Sequence, residues 1–117
     1  MVFTTYGKET AMVRIGSDIN EPAYIGIGSG SGVVSVTNTG LVHHTDRNAF
    51  TTSDLSVARK WEMIADFNSV EMSGTPLREF GIFVESSGGK LWQREGFAAI
   101  QFDGTNELQI QVTWEVY

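Results

Sequence analysis

The chain contains no cysteine among its 117 residues. That excludes a disulfide framework, a thiol nucleophile and a thiolate metal site, and leaves the redox compartment open. Basic residues are scarce, with 8 Lys and Arg against 14 Asp and Glu and a net charge of −6. Phosphate backbones and anionic lipid surfaces need clustered Lys and Arg, so neither a nucleic-acid nor a membrane partner is expected. The acidic residues are spread along the chain, and their simplest role is to keep the protein soluble. No apolar run approaches the roughly 18 residues of a spanning helix. The opening residues, Met1 to Tyr6, lack the basic region and long apolar core of a signal peptide, so a soluble protein made inside the cell is the expectation. Proline is also rare, 2 residues against 13 glycines, a balance that suggests many turns and a loop-rich β protein.

A chain of this length forms one domain and removes about 65% of its unfolded surface from water. Its most informative stretch is Leu77 to Phe97. Two runs rich in aromatic and aliphatic residues flank Ser86-Ser87-Gly88-Gly89, which is a hairpin signal. With these four residues as the loop, Glu85 faces Lys90, Phe83 faces Trp92, Gly81 faces Arg94 and Glu79 faces Gly96. Side chains alternate along a strand, so all four pairs share one face. Glu79 then lies diagonal to Arg94, and a partly buried ion pair between them is expected.

Leu108, Ile110, Val112, Trp114 and Val116 alternate with polar residues and Tyr117, predicting a strand with one buried face. Gly104-Thr105-Asn106 separates it from Phe97–Phe102, predicting a second hairpin and hence a C-terminal meander from Arg78 onward. Tyr24 to Ile27 reads as a strand that runs into a glycine loop. The G-x-G-x-x-G spacing fails, because the last position falls on Ser31 or Val33, and no Gly-Lys-Ser/Thr follows. These glycines therefore serve a mobile turn or a close backbone approach.

The two histidines, His43 and His44, are adjacent, and on a strand they point to opposite faces and cannot share an ion. His43 and Asp46 find no third ligand nearby, so no metal site is expected. Leu55 to Val70 fits both periods: Val57, Ala58, Trp61, Ile64 and Ala65 form a helical stripe, and Val57, Trp61, Met63, Ala65 and Phe67 a strand face interrupted by Arg59. Periodicity alone slightly favours helix. In Met1–Asn20 the one strand candidate is Ala11–Ile15, either an edge strand or an arm that docks on a neighbour.

Taken in order, Ile25–Gly30, Arg78-Glu79-Phe80-Gly81-Ile82-Phe83, Ser87–Leu91, Arg94, Phe97, Ile100 and the Leu108–Trp114 strand resemble a family of small tail-associated structural proteins of tailed phages, found near baseplates and fibres. The match spans roughly Tyr24 to Tyr117 and centres on the family's buried-Glu segment, E-x-G-[LI]-F. Two features depart from it: Gln101-Phe102-Asp103 stands where a basic residue often follows, and Met1–Asn20 has no counterpart. The resemblance implies a strand over Arg59–Phe67 and a compact β-sandwich whose function is assembly.

The sequence thus predicts an all-β protein with little helix: an antiparallel β-sandwich of about 7–8 strands with a C-terminal meander, residues 1–20 as arm or edge strand and 21–117 as a single domain. No catalytic residue, cofactor or metal is expected. Glu79, Glu85 and Glu95 are the carboxylates available for acid–base work, but an Arg partner would depress Glu79 and spoil it as a general acid. By resemblance, the chain is a virion component made in the host cytoplasm that binds other virion proteins. It would be a homo-oligomer, trimer or hexamer favoured, in the tail, baseplate or fibre-attachment region. A capsid decoration protein and a carbohydrate-binding fibre module are the alternatives. A fibre module would stack sugars on Trp61, Trp92 or Trp114, although Trp92 and Trp114 lie on faces assigned to the core. Tyr6, His43, His44, Phe50 and Tyr117 are the interface candidates. Met1–Asn20 and Gly28–Asn48, low in periodic apolar residues, are expected to be dispensable for the sandwich and free to meet neighbours.

Overall fold

A computed structural model describes residues 21–35, 38–72, 76–88, 91–102 and 104–116. The described elements are all strands: β1 Tyr24–Gly28, β2 His44–Ala49, β3 Thr52–Asp54, β4 Lys60–Phe67, β5 Leu77–Phe83, β6 Leu91–Ile100 and β7 Leu108–Glu115. They build a sheet in the order β2-β1-β5-β6 and a second in the order β3-β4-β7, with every pairing antiparallel. This is the expected antiparallel sandwich, with seven strands among the described residues.

Apolar residues at period two explain how the layers meet. Ile25, Ile27 and Ile82 come from the four-stranded sheet, and Trp61, Met63, Ala65, Phe67 and Val112 from the three-stranded one, to form one buried cluster. In β4 the strand pattern therefore prevails over the helical stripe: four large or small apolar residues fill one face, and pairing with both β3 and β7 satisfies the backbone. A reciprocal pair of hydrogen bonds between Asn68 and Glu71 closes the turn after β4, each residue's backbone N–H donating to the other's side-chain oxygen at 2.9 Å. The turn carries Met72 into the core.

Two expected pairings are not formed. β7 lies beside β4, with Trp61 opposite Trp114 and Phe67 opposite Leu108, so the second hairpin and the C-terminal meander give way to a crossing between sheets. β7's apolar face needs a partner layer, and β4 offers eight residues in register where β6 ends in a bulged, exposed stretch. The second difference lies in the β5–β6 hairpin. Gly81–Arg94 and Glu79–Gly96 pair as expected, but an irregularity between Ile82 and Phe83 sets Phe83 against Leu91. Trp92 slips off that register, and the residue is 46% exposed. Lys90 and the Ala11–Ile15 run lie outside the described residues.

Candidate functional site

The Gly26, Glu79 and Gly81 side of the four-stranded sheet faces away from the sandwich core. Gly26 pairs with Gly81 and Gly28 with Glu79, so this lane of β1 carries no side chains. The chain after β1 folds back over it. Gly28 and Gly30 permit that approach: a Cβ on Gly28 would collide with the His43 carbonyl, and one on Gly30 would sit 2.5 Å from Val42 Cβ and 2.6 Å from Glu79 Oε2. Of the two roles open to these glycines, close backbone approach is the one the structure uses.

Glu79 fills the space so made and is fully buried. Its Oε1 accepts from Val42 N at 2.9 Å and from Arg94 Nε at 3.0 Å. Its Oε2 accepts from Gly30 N at 2.9 Å and from His43 N at 2.8 Å. Burial alone would raise the Glu79 pKa, and it is the largest single influence. The donors from His43, Val42, Arg94 and Gly30 together outweigh it and hold the carboxyl below its ordinary value. Arg94 is buried too, with Nη1 3.5 Å from both the Val33 carbonyl and Asn38 Oδ1, while Nη2 has no partner among the described residues. Glu79 and Arg94 thus stand side by side, as their register implies. The backbone amides that surround them carry no signature in residue type. The glycines at period two, Gly26, Gly28 and Gly30, are the signal that locates the socket.

Gly28–Asn48 is consequently not dispensable, which corrects the expectation. Three of its backbone amides hold the buried carboxylate, and His44–Ala49 is a strand paired with β1 along its length. Without this segment Glu79 would be a bare buried charge.

A second cluster adjoins the first. Arg47 lies over the Phe83 ring, 3.5 Å from its centroid, and its Nη1 donates to the carbonyls of Glu85 and Gly88 at 2.9 and 3.0 Å. It therefore latches the β5–β6 turn to β2. His44 stacks on the same ring at 5.5 Å. Its Nε2 is 3.0 Å from the Asp46 carbonyl and its Nδ1 is 3.3 Å from Arg47 Nη2. Both contacts are satisfied when Nε2 carries the proton and Nδ1 accepts. Burial, then the Arg47 charge, lowers the His44 pKa. The absent Cβ of Gly26 makes room here as well, since it would lie 2.8 Å from Phe83 and 3.1 Å from His44.

The other interface candidates are dispersed. His43 is exposed, with Nδ1 2.6 Å from Ser29 Oγ. Phe50 packs against the core, edge-on to Trp61 at 6.3 Å, so it is engaged within its own subunit instead of presented as a free anchor. Tyr6 and Tyr117 lie outside the described residues. Trp61 is buried, which removes it as a sugar platform, and Trp114 donates through Nε1 to Gln93 Oε1 at 2.6 Å. Among the described residues no group of three His, Asp or Glu side chains could hold a metal ion, and no helix is long and apolar enough to cross a membrane.

Chemically, the Glu79 socket is a binding site already filled by the protein itself. Each carboxylate oxygen meets two donors, and the depressed pKa makes it a poor proton donor. What it does is fix an exposed loop. No known protein family matches the chain, and no curated protein matches it.

Proposed function

We propose that the protein is a structural component of a tailed-phage virion, assembling through protein–protein contacts in the tail, baseplate or fibre-attachment region. The observation that carries this reading is the Glu79 socket. The resemblance to tail-associated proteins turns on a buried glutamate within Arg78–Phe83. Here that carboxylate is spent on holding the loop from Gly28 to His43 against the sheet. The loop presents Val33, 89% exposed, and Val42, 59% exposed. An apolar surface held in one conformation binds a partner without first losing its own freedom, which favours assembly. Its chemistry is not that of an active site, since Glu79, the one buried carboxylate among the described residues, already meets two donors at each oxygen.

Electron microscopy of tailed particles carrying this chain tests the proposal, with a gold-conjugated antibody raised against the protein. Label at the distal tail or fibre attachment is expected. Label over the head would instead establish the capsid decoration alternative. Particles without label, with the protein left in the cleared supernatant, would refute a virion role.

A further inference from the structure

Phe83 is fully buried, yet it does not belong to the core between the sheets. Its ring lies on the outward side, over the bare β1–β5 lane: a Cβ on Gly26 would come 2.8 Å from it, and one on Gly81 3.1 Å. Leu41 and Leu91 reach the same place, since that Gly81 Cβ would also lie 3.0 and 2.9 Å from their methyl carbons. A small apolar cluster therefore sits on the far side of the four-stranded sheet from the main core. Its floor is glycine backbone. Its cover is polar, with the Arg47 guanidinium 3.5 Å above the ring centroid and the His44 imidazole stacked at 5.5 Å. A β-bulge assembles that cover. Gly28 pairs with His44 and Ile27 with Asp46, so Thr45 is the extra residue. In a regular strand, residues 44 and 47 would point to opposite faces. Here both project outward, opposite Gly28 and Gly26, while Asp46 shares the core side with Ile27.

We infer that His44 and Arg47 form a pH-operated lid over Phe83, closed while the imidazole is neutral and opened by its protonation. In the closed lid, His44 Nδ1 accepts from Arg47 Nη2 at 3.3 Å, and Arg47 Nη1 donates to the carbonyls of Glu85 and Gly88. A proton on Nδ1 turns that acceptor into a donor and sets two cations side by side on one ring. The guanidinium cannot yield its own proton in this range. Its Nε has no partner among the described residues, so fewer bonds resist its departure. His44 itself is exposed, and protons reach it freely.

The surrounding charges do not cancel the new one. Asp46 and Glu79 both attract a proton to His44, but burial and the Arg47 charge outweigh them. Asp46 sits on the other face of β2, and each oxygen of Glu79 already meets two donors, one of them Arg94. The neighbouring His43 ring is engaged by Ser29. β1 brings Tyr24 and no charged group, and the turn brings Glu85, whose carbonyl Arg47 holds. Opening the lid therefore unties the Glu85–Gly88 turn from β2 and bares Phe83, Leu41 and Leu91 to solvent. The device belongs to this face of the sheet and holds whatever the protein assembles with.

Two readouts on the full chain test the lid. Glutamyl endopeptidase, which cuts after glutamate, reads the turn at Glu85, and a synthetic peptide spanning residues 82–88 in the same tube corrects for the protease's own response to acid. Between about pH 7.5 and about pH 5.5, the corrected cutting at Glu85 should rise severalfold. Its ceiling is about tenfold, the gain for a histidine protonated only in the open form, with its ordinary pKa of 6.5 there. Cutting at Glu62, within β4, should not rise, which separates lid opening from unfolding. The variant His44→Gln, neutral at both pH values, should show no rise at Glu85. In proton NMR, the Phe83 ring signals should shift with the same midpoint as those of His44. Unchanged cutting at Glu85, a rise that persists in His44→Gln, or an equal rise at Glu62 overturns the lid. So do Phe83 signals that stay fixed while His44 titrates.

Discussion

Glu79 shows why a charged residue can be as fully buried as the apolar core of a small β protein. Two unit charges removed from water are costly, and one ion pair seldom compensates. Here three backbone amides join the guanidinium, so no oxygen of the carboxylate is left unmatched. Arg94→Met should destabilise the protein by about 3 kcal/mol, near the low end for breaking a buried pair because the amides remain. A double-mutant cycle with Glu79→Gln, read from urea unfolding, should show coupling of at least about 1 kcal/mol. Additive effects would mean that the 3.0 Å contact contributes nothing to folding. Gly30→Ala should be comparably damaging, about 1–3 kcal/mol, since its Cβ would land on Val42 and the carboxylate.

Acid stability follows from the same residues. A depressed carboxyl pKa contributes stability that is present above the ordinary value of 4.5 and lost as the pH falls through the folded value. The depressed His44 pKa acts with the same sign but earlier: the unfolded chain takes up a proton near 6.5 while the folded one resists. Protonation at Nδ1 would also break the Arg47 contact and place two cations on one ring. Asp46, raised above 3.8 by burial and then by Glu71, opposes them, because stability from a raised carboxyl is present in acid and lost as pH rises. Stability should therefore decline in two stages on acidification, the first starting near pH 6.5. His44→Phe, which keeps a ring against Phe83, should abolish the first stage and leave the second. An unchanged first stage in urea titrations across pH 5–8 would clear His44 of the effect.

At the scale of elements, periodicity was legible wherever one face of a strand meets the core. β7 and the centre of the β5–β6 hairpin read correctly from alternation alone. β4 did not, because Trp61, Ala65 and their neighbours satisfy both a 2-residue and a 3.6-residue repeat, and only pairing with β3 and β7 decides between them. The meander failed for a related reason: nothing in β7's own residues says whether β6 or β4 is its neighbour. The socket was half legible. Register brings Glu79 to Arg94, but the amides that complete the site belong to residues 36–49 positions away in the chain. Arg59, just before β4, had no sequence signal at all. Its φ of 65° is left-handed, and its carbonyl accepts from Val116 N at 2.9 Å, tying the start of β4 to the end of β7. Arg59→Val should therefore cost about 1–2 kcal/mol, since a β-branched residue resists this region, and Arg59→Gly should cost little or nothing. Equal losses for both variants would show that the guanidinium, and not the backbone, sets the penalty.

For the whole molecule, the division between body and arm makes a prediction about cooperativity. Among the described residues, the buried cluster from Ile25 to Val112 and the four donors to Glu79 all lie in the body. Because this core and socket are built within residues 21–117, a chain without residues 1–20 should unfold in a single transition within about 4 °C of the full chain at low concentration, a shift of under about 1 kcal/mol. The two chains should part company as concentration rises. If residues 1–20 carry the self-association of the proposed assembly, folding is linked to association, and the full chain's Tm must climb with protein concentration. The truncated chain lacks that contact, and its Tm should stay flat while light scattering shows monomers. Calorimetry over a hundredfold concentration range reads both effects. A truncated chain already unfolded at room temperature would show that the arm belongs to its own sheet, and the body would then not be the folding unit that its core describes.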